Sequence, residues 1–269
     1  MKVSLITACY NSAKTIKTAL ESVFSQKGVE VEYIVIDGGS TDGTVAIVEE
    51  FSRKERKEGF AFKWMSERDR GMYDAINKGL KMATGDIVGI LNADDVLASD
   101  DTLAHIASAF AIPEVRSPKS GVDCVYADIR FVKEGATVEA LRAAKTVRYC
   151  SAARWRPWMF RFAAMVPHPS FYVRRECFDR LGMYSLDYRI CADFELELRF
   201  LGIARLKSAY LPECVVVMRM GGASTAGWRA NMEINREDLR ALRANGVWSC
   251  LPMLYLKYFF KIWGFVLKR

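Results

Sequence analysis

The stretch "GDIVGILNADDVL", Gly85–Leu97, sets a run of apolar strand formers against an asparagine and two adjacent aspartates. A surface loop accounts for one acid, but two side by side after a buried strand need a further reason. That reason depends on the sheet the strand belongs to. Towards the N-terminus the two hydrophobic periods alternate. "VSLITAC" is an apolar strand, and in the helix expected from Ser12 to Gln26 the residues Ile16, Ala19, Leu20, Val23 and Phe24 make one buried stripe. "VEYIVID", "FAFKWMSE" and "DIVGIL" read as further strands, with "TVAIVEEFSRKE" and "MYDAINKGLKMA" as helices between them. This βαβαβαβ order predicts an α/β fold: a largely parallel sheet, helices on both faces, and ligands at the carboxyl ends of the strands.

After Asp101 the rhythm changes. A helix to about Phe110 is followed by "PEVRSPKSG" and then by "VDCVYADIRFV", which suits a strand or a hairpin. The aromatic, basic segment "RYCSAARWRPWMFRFAAMVPHPSFYV" suits a loop that closes over a ligand. Helices from about Arg174 to Leu181 and Ala192 to Leu201, and strands near "ARLKSAY" and "CVVVMRM", complete the domain. A polar helix from Gly227 to Asn245 leads into "VWSCLPMLYLKYFFKIWGFVLKR", where Pro252, Lys257 and Lys261 interrupt any membrane span. That stretch suits an interfacial helix, or else a helix docked on the domain or on a second subunit.

Of 269 residues, 51% are hydrophobic, enough for one large core. The seven cysteines are scattered, with no C-x-x-C pair, and predict buried thiols in a reducing cytosol rather than a zinc or disulfide framework. "LITAC" ends at Cys9 like a lipoprotein box, but the apolar run before it is too short for an export segment. The formal charge of +7 is concentrated in the tail: from Leu239 onward there are six basic residues and no acid, which leaves 33 basic against 32 acidic residues in the first 238. A basic tail on a nearly neutral domain argues against nucleic acid and for an anionic membrane surface.

Four strand ends carry polar chemistry. Tyr10 and Asn11 follow the first strand, where the ring either lies against a flat base or packs, and Asn11 or Ser12 caps the next helix. "IDGGSTDGT" lacks the G-x-G-x-x-G spacing of a dinucleotide turn, which disfavours a dehydrogenase. Here Asp37 can accept from a nucleoside, while Asp42 and Thr44 suit a capping role. Asp69 and Arg70 follow the third strand and suit a phosphate-bearing ligand or a surface ion pair; Asn77 lies off the Met72, Ile76, Leu80, Ala83 stripe of the next helix. Asp94 and Asp95 end the fourth strand, where two like charges call for a cation such as Mg2+ or Mn2+; the alternative is a turn leading into the cap at Ser99–Asp101.

Together "VSLITACYN", "IDGGSTDGT", "SERDRGMYDAINKGLKMATGD", "LNADD", "HPSFYVRRECFDRLGMY" and "YRICADFELELRF" resemble the family 2 glycosyltransferases, closest to the bacterial branch that builds surface polysaccharides such as colanic acid. The resemblance implies a GT-A fold, a Rossmann-like mostly parallel sheet flanked by helices, over residues 1–225. Residues 1–110 would form the nucleotide-sugar half and 111–225 the acceptor half, with a helical, membrane-associating extension at 226–269. It implies Mn2+ or Mg2+ on the "LNADD" motif, with Asp95 as direct ligand, Asp94 as its partner and Asn92 in place of the motif's first acid. Tyr10, Asp37, Asp69 and Asn77 fall to the nucleotide sugar. Gly38 stands where many members carry a second acid.

The resemblance assigns the general base to Asp193. Its neighbours Ile190, Cys191, Ala192 and Phe194 make an apolar setting that suits a proton-accepting carboxylate; the plain alternative is a favourable charge at a helix N-terminus. Glu197, one helical turn on, either orients Asp193 or is a solvated charge. His168 and Trp158 fall on the acceptor side, His105 is structural, and Arg219 with the "GGAS" loop at Gly221–Ser224 would close on the diphosphate. The implied reaction is an inverting transfer from a nucleotide diphosphate sugar to a saccharide acceptor, carried on lipid, by a peripheral enzyme at the inner face of the cytoplasmic membrane, as a monomer or an oligomer. Two alternatives stand beside it: a metal-dependent nucleotidyltransferase, for which no glycine-rich triphosphate loop is visible, and a noncatalytic nucleotide-sugar or membrane-binding module.

Overall fold

The computed structural model describes residues 1–111, 121–221 and 227–256. Most of "PEVRSPKSG", three residues of the "GGAS" loop and the final segment 257–269 lie outside the described residues. Strands β1 (Lys2–Cys9), β2 (Glu30–Asp37), β3 (Phe60–Ser66) and β4 (Ile87–Ile90) are joined by helices α1 (Ile16–Phe24), α2 (Thr44–Ser52) and α3 (Met72–Met82). They pair in parallel in the order β3-β2-β1-β4, so the chain reverses its direction of travel across the sheet at β1. That reversal leaves a crevice above the carboxyl ends.

The second half extends the same sheet through β5 (Val96–Leu97), α4 (Thr102–Phe110), β6 (Cys124–Val132), α5 (Val138–Ala143), β7 (Arg148–Cys150), β8 (Tyr172–Arg174), α6 (Arg175–Leu181), α7 (Ala192–Glu197), β9 (Ser208–Arg219), α8 (Gly227–Ala244) and α9 (Leu251–Tyr255). Antiparallel β8 joins β4 to β6, and β9 lies parallel to β6. Because β8 runs against β4, the residues before it, from His168 onward, arrive at the same edge as the end of β4. The nine-stranded arrangement is the mixed α/β, GT-A-like architecture with a C-terminal helical extension.

Along β1 and β2 alternate residues enter two cores. Leu5, Tyr33 and Val35 pack on one face, and Ile6, Ile34 and Ile36 on the other. Burial on both faces explains why these strands read as continuous apolar runs. Gly89 lets the second half approach, since a Cβ there would lie 2.1 Å from the Tyr172 ring. The sheet is less regular where the sequence signal was weak. The two strands expected at 204–220 are one strand, β9, whose register against β6 slips on either side of Asp128. The short helix α5 was not anticipated, α7 continues as a π turn over Leu198–Ile203, and α1 starts at Ile16 because the chain first turns through Ser12. Met72 is 49% exposed and does not join the α3 stripe.

At the opposite edge of the sheet the buried Glu32 carboxylate accepts hydrogen bonds from Lys63 Nζ (2.7 Å), Ser4 Oγ (2.5 Å) and both Thr84 N–H and Oγ1 (2.7 and 2.8 Å). Burial raises its pKa, but these donors outweigh it and bring it from 4.5 to about 2. The stabilisation is therefore complete above pH 4.5 and is lost as pH falls towards 2. In urea titrations Glu32→Gln should be less stable than wild type by about 3 kcal/mol near neutrality. The two curves should converge on acidification.

Candidate active site

The four parallel strands deliver their polar ends to one edge. Tyr10 follows β1 with its ring 63% exposed, because Asn11 beside it takes a left-handed turn (φ 49°) and is locked to the neighbouring loop. Asn11 N–H donates to Ser40 Oγ (2.7 Å), and Asn11 Oδ1 accepts from Thr41 N–H (3.0 Å). Asp42, expected to cap α2, lies one residue before the N-cap Gly43, and its carboxylate instead ties the turn by accepting from Thr44 N–H and Oγ1 and from Ala13 N–H.

Asp37 differs from expectation. It is fully buried and accepts from Gly39 N–H (3.0 Å), Ser40 N–H (2.9 Å), Ser40 Oγ and Ser66 Oγ (2.6 Å). Its carboxylate shapes the strand-end turn instead of presenting to a nucleoside. Asp69 is half-buried beside that turn, with Oδ1 accepting from Gly71 N–H (2.8 Å). A Cβ at Gly38 would meet Asp69 Oδ2 at 2.5 Å, so Asp69 occupies the space a second acid at position 38 would need. Arg70 takes the plainer of its two roles, an exposed pair with Asp74 (3.2 Å).

At the end of β4, Asp95 is 1% exposed and accepts from Asn92 Nδ2 (2.8 Å) and from the main-chain N–H of Arg219 (3.3 Å). Burial and the adjacent Asp94 charge hold its pKa well above the carboxylate range. Asp94 is half-buried, and its carboxylate has no hydrogen bond or ion pair among the described residues. Asp94 is therefore the open acid of the pair, and Asp95, the direct ligand expected from the sequence, is buried behind it. Asn92 acts on Asp95 rather than outward. Arg219 is not free to close on a diphosphate: its guanidinium donates to Asp94 C=O (2.5 Å), Thr18 Oγ1 (3.0 Å) and Gly135 C=O (3.1 Å). No group of three acid, histidine or cysteine side chains able to enclose a metal exists among the described residues. Two acids, one of them open, still fit a hard cation that takes one or two protein carboxylates and completes its shell on substrate phosphates.

The second constellation surrounds Asp193 in the first turn of α7. Its Oδ1 accepts from Phe194 N–H (2.8 Å) and lies 3.2 Å from the Tyr73 hydroxyl, which also reaches Ile190 C=O (2.5 Å). Its Oδ2 has no partner among the described residues. Tyr73 stacks on Tyr184 at 5.7 Å, and the Tyr184 hydroxyl is 2.7 Å from His168 Nε2. Burial, followed by the Asp193 charge, raises both tyrosines well above their ordinary range, and burial lowers His168. Glu197 is fully buried rather than solvated, with Oε2 on Val166 N–H (3.1 Å) and Oε1 unpaired. Burial and the nearby Asp193 charge push its pKa well up, which favours the protonated form. Tyr73 stands in the first turn of α3, four residues after Asp69, and so links the two constellations.

Two expected site residues lie elsewhere, and His105, expected to be structural, is on the surface. Asn77 is buried behind the cluster, its amide exchanging two hydrogen bonds with the Tyr184 main chain (2.8 and 3.0 Å), so it cannot reach a ligand. Trp158 is 61% exposed on the outside of a 3-10 turn over Pro157–Phe162. His105 pairs on the surface with Glu213 (2.8 Å). Sequence reasoning missed Tyr73, Tyr184 and Glu237. The Glu237 carboxylate, on α8, accepts from three successive N–H groups, Arg189, Ile190 and Cys191, each at 2.9 Å, and so fixes the approach to Asp193. Nothing local in a polar helix marks this residue. The signal was the donor side: three free N–H groups ahead of a short helix need an acceptor.

A mixed sheet whose four N-terminal strands run parallel, with an exposed aromatic, one open acid of an adjacent pair and a half-buried carboxylate near their carboxyl ends, has the architecture of a GT-A-type glycosyltransferase. The chain belongs to glycosyl transferase family 2, whose sequence profile matches residues 4–151. It is 28% identical over 240 residues, 89% of its length and 83% of the relative's, to a PGL/p-HBAD biosynthesis glycosyltransferase of Mycobacterium bovis BCG. Among solved structures it is similar to the mannosyltransferase PcManGT from Pyrobaculum calidifontis in complex with GDP-Man and Mn2+, with TM-score 0.64 and 23% identity over 98% of this chain and 72% of that one. It is also similar to S. aureus TarS 1-349 in complex with UDP-GlcNAc, with TM-score 0.61 and 19% identity over 90% and 66% of the two chains. At these identities the solved structures speak to the fold alone.

Two substitutions test the electrostatics of the Asp193 cluster. Glu197 keeps its proton in the folded state and loses it in the unfolded chain above pH 4.5, so it lowers stability progressively as pH rises. Glu197→Gln should match wild type in acid and exceed it in melting temperature at pH 8. Glu237→Ala should cost about 2 kcal/mol by stranding its three N–H donors, and Glu237→Gln should recover much of that, both read from denaturant midpoints.

Proposed function

We propose that the protein is an inverting glycosyltransferase that moves a sugar from a nucleotide diphosphate sugar to the hydroxyl of a lipid-linked saccharide. The observation that carries this is Asp193: its Oδ2 is open, its Oδ1 is held, and burial shifts Tyr73, Tyr184, His168 and Glu197 around it toward their neutral forms. A single charge in such a setting is a directed proton acceptor. In the reaction, Asp193 takes the acceptor hydroxyl's proton while that oxygen bonds to the anomeric carbon. The bond to the diphosphate breaks on the opposite face, and the electron pair leaves with the nucleoside diphosphate.

The donor end uses Tyr10 as a stacking platform and Asp69 as the acid facing the nucleoside, with Asp37 shaping the turn beneath them. Asp94, backed by Asp95, holds Mn2+ or Mg2+, which when bound supplies positive charge to the diphosphate. Solved neighbours in complex with GDP-Man and Mn2+ and with UDP-GlcNAc fit a nucleotide-sugar donor, and the hydrophobic, basic C-terminal sequence supports an acceptor carried on lipid. No helix among the described residues is long and apolar enough to cross a membrane, so the reading places contact with the inner membrane face on the basic C-terminal segment.

The test is nucleotide release from UDP-, GDP- and dTDP-sugars with and without Mn2+. Asp193→Asn should lower kcat by at least about 100-fold with little change in KM. Asp94→Ala should abolish the response to metal. Full turnover by both variants would overturn the assignment.

A further inference from the structure

We infer that the surface meeting the membrane is a composite of two segments far apart in sequence: the turn at Arg154–Phe162 and the C-terminal helix α9 with the residues flanking it. The inference rests on the membrane-facing part of the proposed function and extends it to a second segment. Its origin is a pattern in the charges. Residues 140–175 contain eight basic residues and no acid, and residues 239–269 contain six and no acid. The fold packs these two acid-free stretches against each other, with α9 against the 3-10 turn over Pro157–Phe162 and Ser249 Oγ donating to Arg161 C=O at 2.6 Å.

Each segment is two-sided. Inward, Trp155 and Phe160 are buried and meet at 5.2 Å, Trp155 Nε1 donates to Ala164 C=O (3.0 Å), and Leu254 is fully buried. Outward, Trp158 is 61% exposed, Trp248 69% and Tyr255 48%, with Arg154, Arg156 and Arg161 on the surface among them. Large aromatics that stay exposed beside unopposed arginines have the composition of an interfacial anchor for anionic lipid. An acidic protein partner would match the arginines but would leave unexplained the continuation of the chain from α9 into "KYFFKIWGFVLKR", which alternates aromatic and basic residues.

The face also adjoins the chemistry. Phe160, on the inner side of the turn, packs 5.7 Å from Phe194, the residue after Asp193. A bilayer at this face would present lipid-borne acceptors beside the proposed base.

The experiment is co-sedimentation of the full chain with vesicles of phosphatidylcholine, alone or mixed with phosphatidylglycerol. Wild type should bind the mixed vesicles preferentially. The triple variant Arg154→Ser, Arg156→Ser, Arg161→Ser should bind them on the order of 100-fold more weakly, at about fivefold per arginine, with an unchanged melting curve and unchanged nucleotide release on a water-soluble acceptor. Trp158→Ala should weaken binding several-fold. A triple variant that binds as wild type does would assign the contact to the C-terminal segment alone, overturning the composite face while leaving the proposed function standing. Wild type that ignores the vesicles and instead forms a dimer disrupted by Trp158→Ala would give the face to a second copy, overturning the inference and the membrane reading together.

Discussion

Two carboxylates on successive residues at the end of a buried strand repel each other, and the arrangement persists only if the surrounding chain fixes both. Arg219 does this. Its main-chain N–H reaches Asp95, and its guanidinium reaches the carbonyl of Asp94, the Thr18 hydroxyl of α1 and the carbonyl of Gly135. One side chain thus ties the end of β4, the first helix and the loop before α5 to the last residue of β9. The two-strand pairing of β5 with β9, Val96 opposite Val217, sets the register that makes this reach possible. Asp94 stays open and Asp95 stays behind it because the second half of the chain returns to hold the pair.

Around Asp193 the solution is different. No arginine or lysine is paired with it in the way Lys63 is paired with Glu32. Instead the neighbours that could carry charge are driven to their neutral forms, the histidine and tyrosines by burial and Glu197 by burial together with the charge of Asp193 itself. Neutral donors, the Tyr73 hydroxyl and the Phe194 N–H, hold its Oδ1 in place. The main-chain cap from Glu237 supplies the rigidity that an ion pair would otherwise give.

The parallel half of the sheet was legible because its strands are buried on both faces and its helices carry a single stripe, so each period stood out. The strand ends followed from it, which is why Tyr10, Asp69 and Asp94 were found as candidates, whereas Asp193, in helix α7, came from the family resemblance. What the residue pattern could not give was the direction in which a polar side chain points. Asn77 lies off the apolar stripe of α3, yet it is buried because Tyr184, more than a hundred residues on, offers it a main-chain N–H and C=O. Asp37 and Arg219 were misjudged for the same reason. Each is consumed by partners that only the folded loop brings within reach. The bulged strand β9 hid itself differently, since its slip around Asp128 breaks the period-two pattern by which a strand is recognised.

Gly38 shows how such loop-level packing bears on the choice of nucleotide. Its missing side chain looks in sequence like the loss of an acid, but Asp69 Oδ2 lies 2.5 Å from where a Cβ would be, so the space is already filled by a carboxylate from the next strand end. A side chain at 38 and the present rotamer of Asp69 exclude each other. In this rotamer the acid at this point is Asp69, from the loop ahead of α3. Here it comes from the loop, and that loop runs within four residues into Tyr73 and so to Asp193. Asp69 is thereby joined to the Asp193 cluster through a single turn of helix. An acid at position 38 would lack that mechanical connection.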